Sequence, residues 1–434
     1  MNPFYAVIAL FALLVGPAHA ATENLLDIYR LAQVEDRQLR AAAAQLEGVR
    51  EAIPQARAAY LPSILAGANA YQNYLDQNGV PSDDYSSNDL TLSLQQAVFD
   101  RAAWLRQGQA SSLVKQAEVS YTSAEQALIL RSANAYFTVL DESVSLRAVL
   151  ADKEATARQL DQTKQRFEVG LIAITDVHEA QARYDRVVSE EIVARNRLDS
   201  ARELLRVITG QYHAELAELA EQVALVTPEP ADIQDWVDQA ASGNLTLLAA
   251  QYGVEVAREE IEVQRSGHYP TVDLFASYGA SNVGGNPFGL DDRDSGRVGL
   301  ELNLPLYLGG QIQSLTREAE AGLLEASELY EQQTREVEQQ TRDAYRTVLA
   351  SIAAVEALKQ TVVSTQSALD ATQAGFEVGT RTIVDVLDAQ RDLFLAERDY
   401  EIARHRYVLS TLSLKQAVGT LDLGDVEEAT RLLQ

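Results

Sequence analysis

The hydrophobic pattern first follows the period of an α-helix. From Arg101 to about Arg166 there is no proline, and apolar residues recur every three or four positions along one stripe. A second segment of this kind runs from Gln311 to about Ala374, and a shorter segment rich in helix formers spans Glu23 to Ala59. At 1.5 Å per residue the long segments would each reach about 100 Å, which predicts coiled-coil or bundle packing.

Between these helical segments the period changes to two, which is typical of β-strands with one apolar face. The alternating apolar positions are Leu90, Leu92 and Leu94, followed later by Val298, Leu300 and Leu302. Strands are also predicted at 64–71 and 272–278, with polar loops at 76–88 and 281–296. The pattern fits membrane strands with lipid-facing leucines, or a soluble sheet packed on helices. Four strands cannot close a membrane barrel alone, because the smallest such barrels have about eight.

The chain consists of one unit that is duplicated. Phe167-Glu168-Val169-Gly170 returns 209 residues later as Phe376-Glu377-Val378-Gly379. We predict repeat 1 at 21–227, repeat 2 at 228–424 and a short C-terminal tail at 425–434. Each repeat contains a helix, a strand pair at about 62–99 or 270–307, a long helix, a turn at the glycine and a returning helix.

Residues 1–20 are predicted to be a signal peptide, because an apolar run is followed by an A-x-A cleavage site. No later stretch has about 18 uninterrupted apolar residues, so we expect any membrane crossing to use strands. The chain has no cysteine, which excludes a lipid anchor on cysteine and any thiol chemistry. Its net charge of −27 disfavours nucleic acid as a partner.

The turn sequences resemble the TolC family of outer-membrane efflux and secretion channels. The resemblance is carried by Gln159-Leu160-Asp161-Gln162-Thr163, by Ala173-Ile174-Thr175-Asp176-Val177 and by the run from Val378-Gly379-Thr380-Arg381 to Asp388-Ala389. It covers both repeats and both strand pairs. It implies a homotrimer, integral in the outer membrane, whose twelve-stranded barrel contacts lipid and continues into a periplasmic α-helical tunnel.

Two acidic residues follow the second turn. Asp385 and Asp388 stand three apart on a predicted helix, so both carboxylates should lie on one side. The alternative is an ordinary solvated helix face, because acidic residues are common in this chain. The resemblance implies that the pair forms a cation-binding constriction at the tunnel entrance.

The resemblance also implies a closed-state latch and a docking surface. The latch residues are Arg381, Asp176 and Thr175, and Phe376 stands where the family pattern has a Tyr whose hydroxyl joins the latch. The docking residues, which would meet a periplasmic adaptor protein, are Val169, Gly170, Leu171, Val378, Gly379 and Thr380. Glycine at these turns also fits ordinary helix capping.

Enzyme signals are poor. His178-Glu179 begins like a zinc-protease helix, but Ala182 stands where the second histidine is needed. We therefore predict no enzyme activity, no cofactor and no metal site. The expected function is a passive exit duct for efflux or type I secretion, opened by hairpin movement after recruitment by an adaptor and an inner-membrane pump or secretion ATPase. The alternative is a soluble periplasmic scaffold or adaptor.

Overall fold

The computed structural model describes residues 22–77, 80–284 and 292–433. The predicted signal peptide, 1–20, lies outside the described residues. The first repeat contains α1 (Leu25–Glu35), α2 (Arg37–Arg50), α3 (Ala52–Ala58), β1 (Ser63–Gln77), β2 (Val80–Phe99), α4 (Arg101–Glu168) and α5 (Ile174–Thr209). The second contains α6 (Ile233–Gly243), α7 (Leu245–Arg265), β3 (Thr271–Gly284), β4 (Arg293–Asn303), α8 (Gln311–Glu377), α9 (Ile383–Ala417) and α10 (Leu423–Arg431).

The two long helices confirm the helical pattern of the sequence. Helix α4 has 68 residues and α8 has 67, so each is about 100 Å long. Helix α4 packs along α5, and α8 packs along α9, which gives two antiparallel hairpins. Lengthwise pairing buries the apolar stripe of each helix, and such packing supplies most of the stability of helices in proteins.

Helix α8 corrects the prediction that no helix could cross a membrane. By length and composition it contains one stretch that is apolar enough to do so, although charged residues interrupt its apolar runs. The whole helix is about three times the thickness of a bilayer core and pairs with α7 and α9. Its packing is that of a hairpin arm.

The four strands form one antiparallel sheet in the order β1-β2-β3-β4. In the register, Leu92 lies between Ala66 and Tyr278, and Ala276 lies between Leu94 and Val298. Directly opposed residues project to the same side of a sheet. All six alternating apolar positions therefore share one face: Leu90, Leu92, Leu94, Val298, Leu300 and Leu302.

The predicted loops were too long. Strand β2 already begins at Val80, and β3 continues to Gly284, so most of 76–88 and the start of 281–296 lie in strands. Ladder hydrogen bonds extend the strands through polar residues, as in the pairs Asn73 with Tyr85 and Asn69 with Asp89. The polar side chains in these segments indicate exposure to water and do not mark the ends of the strands.

The predicted single helix from Glu23 to Ala59 is broken at Asp36. This buried side chain caps α2 through the Leu39 N–H at 2.7 Å and binds Arg131 at 2.9 Å. Asn244 separates α6 from α7 in the second repeat in the same way. Its side chain caps α7 by accepting from the Leu247 N–H at 3.0 Å. A short polar side chain that accepts from the helix N-terminus favours a new start over continuation.

The core lies where the hairpins meet the segment that joins the repeats. Tyr136 is fully buried and donates its hydroxyl to the Ala217 carbonyl at 2.6 Å. Tyr345, its counterpart in the second repeat, donates to the Ala231 carbonyl at 2.5 Å. Residues 425–434, which the sequence analysis set apart as a tail, include most of α10, and Leu433 pairs with Leu219. The joining segment is thus held by both repeats and by the end of the chain.

Glycine is required where α6 meets the end of α9. Gly419 has φ +80°, and a Cβ there would collide with the Gly243 carbonyl. We expect Gly419→Ala to destabilise the protein by at least about 1–2 kcal/mol, because a side chain is strained at that φ and has no room.

Gly322 provides the control for thermal unfolding followed by circular dichroism. It lies within α8 with open space around it, so Gly322→Ala should stabilise the helix by about 0.5–1 kcal/mol. Unfolding of Gly419→Ala at the temperature of the unmodified protein would contradict the packing described here.

Candidate gate at the hairpin tips

The two hairpin tips share one backbone geometry. Gly170 and Gly379 have φ values of 78° and 79°, which confirms the predicted capping glycines. The N–H groups of Leu171 and Thr380 donate to carbonyls of the preceding helix, at 2.9 and 2.8 Å. Val169, Leu171 and Val378 are more than 70% exposed. The tips therefore present apolar side chains and bare backbone to their surroundings.

The start of α9 holds the first of the two acidic residues. The Asp385 carboxylate accepts from the Thr382 backbone N–H at 2.7 Å and from the Thr382 hydroxyl at 2.8 Å, which forms a capping box. These bonds, first from the backbone and then from the hydroxyl, lower the pKa of Asp385, and Arg381 adds to the effect. Asp385 stays ionised in more acidic solution than an ordinary aspartate.

The second acidic residue, Asp388, faces the other hairpin. Its Oδ1 lies 3.1 Å from Nη1 of Arg183, which belongs to α5. Within one chain the two carboxylates thus have separate partners, Thr382 for Asp385 and Arg183 for Asp388.

A cavity of about 660 Å³ lies between the tips. Asp176, Phe376 and Asp388 line it together with three arginines. The arginines are Arg166, Arg183 and Arg186. The guanidinium carbon of Arg166 lies 5.0 Å from the centre of the Phe376 ring. Phe376 therefore contacts a cation through the face of its ring, since it has no hydroxyl.

The latch residues are not all joined within one chain. The Thr175 hydroxyl lies 3.4 Å from the Asp176 carboxylate, and the Arg381 backbone N–H donates to the Gly375 carbonyl at 3.2 Å. Among the described residues, Arg381 forms no ion pair with Asp176. Its exposed side chain is available to a neighbouring molecule.

Arg183 is the residue that sequence reasoning missed. The spacing of 209 residues matches Asp176 with Asp385 and Glu179 with Asp388, but it matches Arg183 with Asp392. The available signal was the reversed charge at this one position, because the two preceding acidic positions, 176/385 and 179/388, are acidic in both repeats. Over residues 22–77, 80–284 and 292–433, no group of three or more metal-ligand side chains could hold an ion.

The fold and the tips define a class of protein. A sheet with an exposed apolar face, continuous with helical hairpins about 100 Å long, is the construction of a protomer of a membrane duct. A family model described as "Outer membrane efflux protein" matches residues 28–211 and 236–420. The chain belongs to this outer membrane efflux protein family.

Individual proteins agree with this assignment. The chain is 42% identical to the outer membrane protein TolC of Escherichia coli K12, over 93% of this chain and 84% of that protein. It is 31% identical to the alkaline protease secretion protein AprF of Pseudomonas aeruginosa, over 93% and 86%. The crystal structure of the Campylobacter jejuni CmeC outer membrane channel has the same fold, with a TM-score of 0.79 at 14% identity over 94% and 90%.

These relatives are channels for efflux and secretion, so this chain is an outer-membrane channel protein with a helical periplasmic tunnel. The prediction of a TolC-like duct is confirmed, and the alternative of a soluble scaffold is not supported.

Proposed function

We propose that three copies of this chain form one exit duct for efflux or type I secretion. The observation that supports a closed ring of copies is the pair of sheet edges on β1 and β4, which have no partner strand among the described residues. The number three is what the resemblance to the TolC family implies. The four strands alternate in direction, so β4 of one copy can pair antiparallel with β1 of the next. A ring of such contacts closes a barrel without free edges, and three copies give twelve strands.

The apolar face of the sheet is the proposed lipid surface. Val298, Leu300 and Leu302 are 77%, 69% and 66% exposed in the single chain. The opposite face carries polar residues such as Glu301, which pairs with Asp273. An apolar outside and a polar inside are what a water-filled barrel in a membrane requires.

The hairpins also leave apolar side chains uncovered, and we assign these to contacts between copies. They lie on α5 and α8, at Ile192, Val193, Leu204, Val207, Leu324, Leu329 and Val363. Burying such residues against a neighbouring hairpin would gain about 25 cal/mol per Å² of apolar area.

The tips form the proposed gate. Asp385 and Asp388 from three copies would surround one axis as an acidic constriction, which attracts cations. Arg381 of one copy would bind Asp176 and Thr175 of the next in the closed state. Opening is then an outward movement of the α8/α9 hairpin without unfolding.

The exposed turns fit the docking of a periplasmic adaptor, since Val169, Gly170 and Leu171 and their counterparts Val378, Gly379 and Thr380 offer little steric hindrance. The adaptor would recruit an inner-membrane pump or a secretion ATPase, which supplies the energy. The duct itself is passive. AprF, a relative named for protease secretion, supports secreted polypeptides as one class of cargo.

Purified protein in lipid bilayers tests this function. We expect oligomers that resist sodium dodecyl sulfate, have the mass of three chains and conduct ions in bilayer recordings. Monomeric protein recovered with soluble periplasmic contents would refute the duct.

The acidic constriction gives a separate prediction. Replacing both Asp385 and Asp388 with Ala should reduce the preference for cations and abolish block by trivalent cations, because the ring loses its carboxylates. The measurement is the reversal potential across a salt gradient, with block titrated from the periplasmic side.

Glu427 and Glu428 supply the control for this prediction. They are exposed on α10, away from the tips, so replacing both with Ala removes the same charge without touching the constriction. Equal selectivity in the unmodified protein and in the Asp385/Asp388 variant would remove these residues from the gate.

A further inference from the structure

Arg183 occupies an unusual position at the hairpin tips. Its side chain is only 16% exposed, yet it lies in the wall of the cavity between the hairpins. Nη1 binds Asp388, whereas the buried Nη2 has no hydrogen-bond partner in the described part of the chain. A guanidinium held this far from water needs nearby negative charge.

That charge comes from two other helices. Asp388 belongs to α9, and Asp152 belongs to α4 and is 6% exposed. Burial raises the pKa of Asp152, and the charge of Arg183 opposes this rise, as Arg391 does more weakly. Arg183 therefore stands between carboxylates of both hairpins of one chain.

The duplication shows that this cation belongs to only one copy of the repeat. At the equivalent place the second repeat has Asp392, so α9 carries three acids where α5 carries two acids and an arginine. Arg391, beside Asp392, matches Ala182, so the arginine at this exact position is found only in the first repeat, where it pairs with the second hairpin through Asp388. An acid at position 183, as at position 392, could not form this cross-hairpin pair with Asp388.

We propose that Arg183 sets both the ion selectivity and the closure of the gate. Its positive charge offsets the negative charge of Asp388 within each chain. Asp385 therefore contributes more than Asp388 to the attraction of cations by the constriction. It also ties α9 to α5, so outward movement of the α8/α9 hairpin must separate Arg183 from Asp388. Separation leaves the Asp388 carboxylate without its compensating cation, and the open gate becomes more cation-selective than the closed one. This proposal rests on the proposed gate.

A cycle of variants tests the selectivity. Arg183→Gln should raise the ratio of cation to anion permeability at least about twofold, as expected for one uncompensated charge about 8 Å from a passing ion in water. Asp388→Asn should lower the ratio, and the double variant should return close to the unmodified protein. Reversal potentials in a salt gradient give these ratios.

Arg186→Gln is the matched control. Arg186 lies one helical turn further along α5, lines the same cavity and is exposed. Its replacement should change the ratio less than that of Arg183. An equal effect of the two variants, or no effect of Arg183→Gln, would overturn the proposal.

A second measurement does not depend on channel activity. The chain has no cysteine, so Arg183→Cys with Asp388→Cys introduces the only two thiols. A short bifunctional thiol reagent should link them within one chain, and mass spectrometry of the denatured monomer should find the linked peptides. If no link forms, Arg183 and Asp388 are not neighbours within one chain and the proposal is refuted. A link formed in a protein that yields no trimeric channel would instead refute the proposed function and leave the pair standing.

Discussion

Arg381→Ser is expected to give a higher single-channel conductance than the unmodified protein. The substitution removes a charge and a fork of donors from each copy in the proposed trimer. An exposed ion pair contributes about 0.5 kcal/mol, so three simultaneous losses shift the open fraction roughly tenfold. Asp176→Ala should give a smaller rise, because Thr175 can still accept from Arg381. Bilayer recordings at low salt, where charge pairs are least screened, measure the effect.

Two further variants sharpen this prediction. Arg346→Ser removes an exposed arginine from α8 far from the tip, and its conductance should match that of the unmodified protein. Phe376→Tyr supplies a hydroxyl in the cavity that also contains Asp176, so it should partly restore closure in the Arg381→Ser background. If Arg381→Ser and Asp176→Ala both conduct like the unmodified protein, the closing contacts lie elsewhere.

Leu300→Arg should strongly reduce the amount of trimer in the outer membrane. Leu300 lies within β4 on the proposed lipid surface, where an arginine costs about 2–4 kcal/mol near the bilayer midplane. The measurement is the fraction of chains that form oligomers resistant to sodium dodecyl sulfate in the outer-membrane fraction.

Glu301→Arg is the neighbouring control at nearly the same depth. Its side chain projects to the other face of β4, beside Asp273, so a positive charge there is solvated and paired. This variant should assemble close to normally and change only the charge inside the barrel. Equal assembly defects in the two variants would reverse the assignment of the sheet faces.

The sequence predicted those parts of the fold that depend on local, repeated signals. Helices α4 and α8 follow from long apolar stripes without proline, and the sheet faces follow from strict alternation. The break at Asp36 was missed, because this residue sits within a run of good helix formers and only its cap reveals a new helix. The strand length between 76 and 88 was missed because ladder bonds do not require apolar side chains.

The site divides in a similar way. The turns at Gly170 and Gly379 were predictable, since positive φ selects glycine locally. The capping role of Asp385 was also within reach, from the spacing of Thr382 and Asp385. The pair of Arg183 with Asp388 was not, because its partners are 205 residues apart and meet only after both hairpins have packed.

The pairing of β2 with β3 sets the order in which the protomer can fold. These neighbours in the sheet are separated in sequence by nearly a whole repeat, and Ala220 and Leu219 bond to Leu432 and Leu433 at the very end of the described chain. Contacts of such long range form slowly. During synthesis the hairpin of β1 and β2 emerges long before its partner strand and exposes an edge prone to aggregation. The β2 edge therefore stays unpaired until β3 follows, and the segment at Leu219 and Ala220 lacks its partners until the last residues arrive, so truncation at the C-terminus would remove those partners altogether.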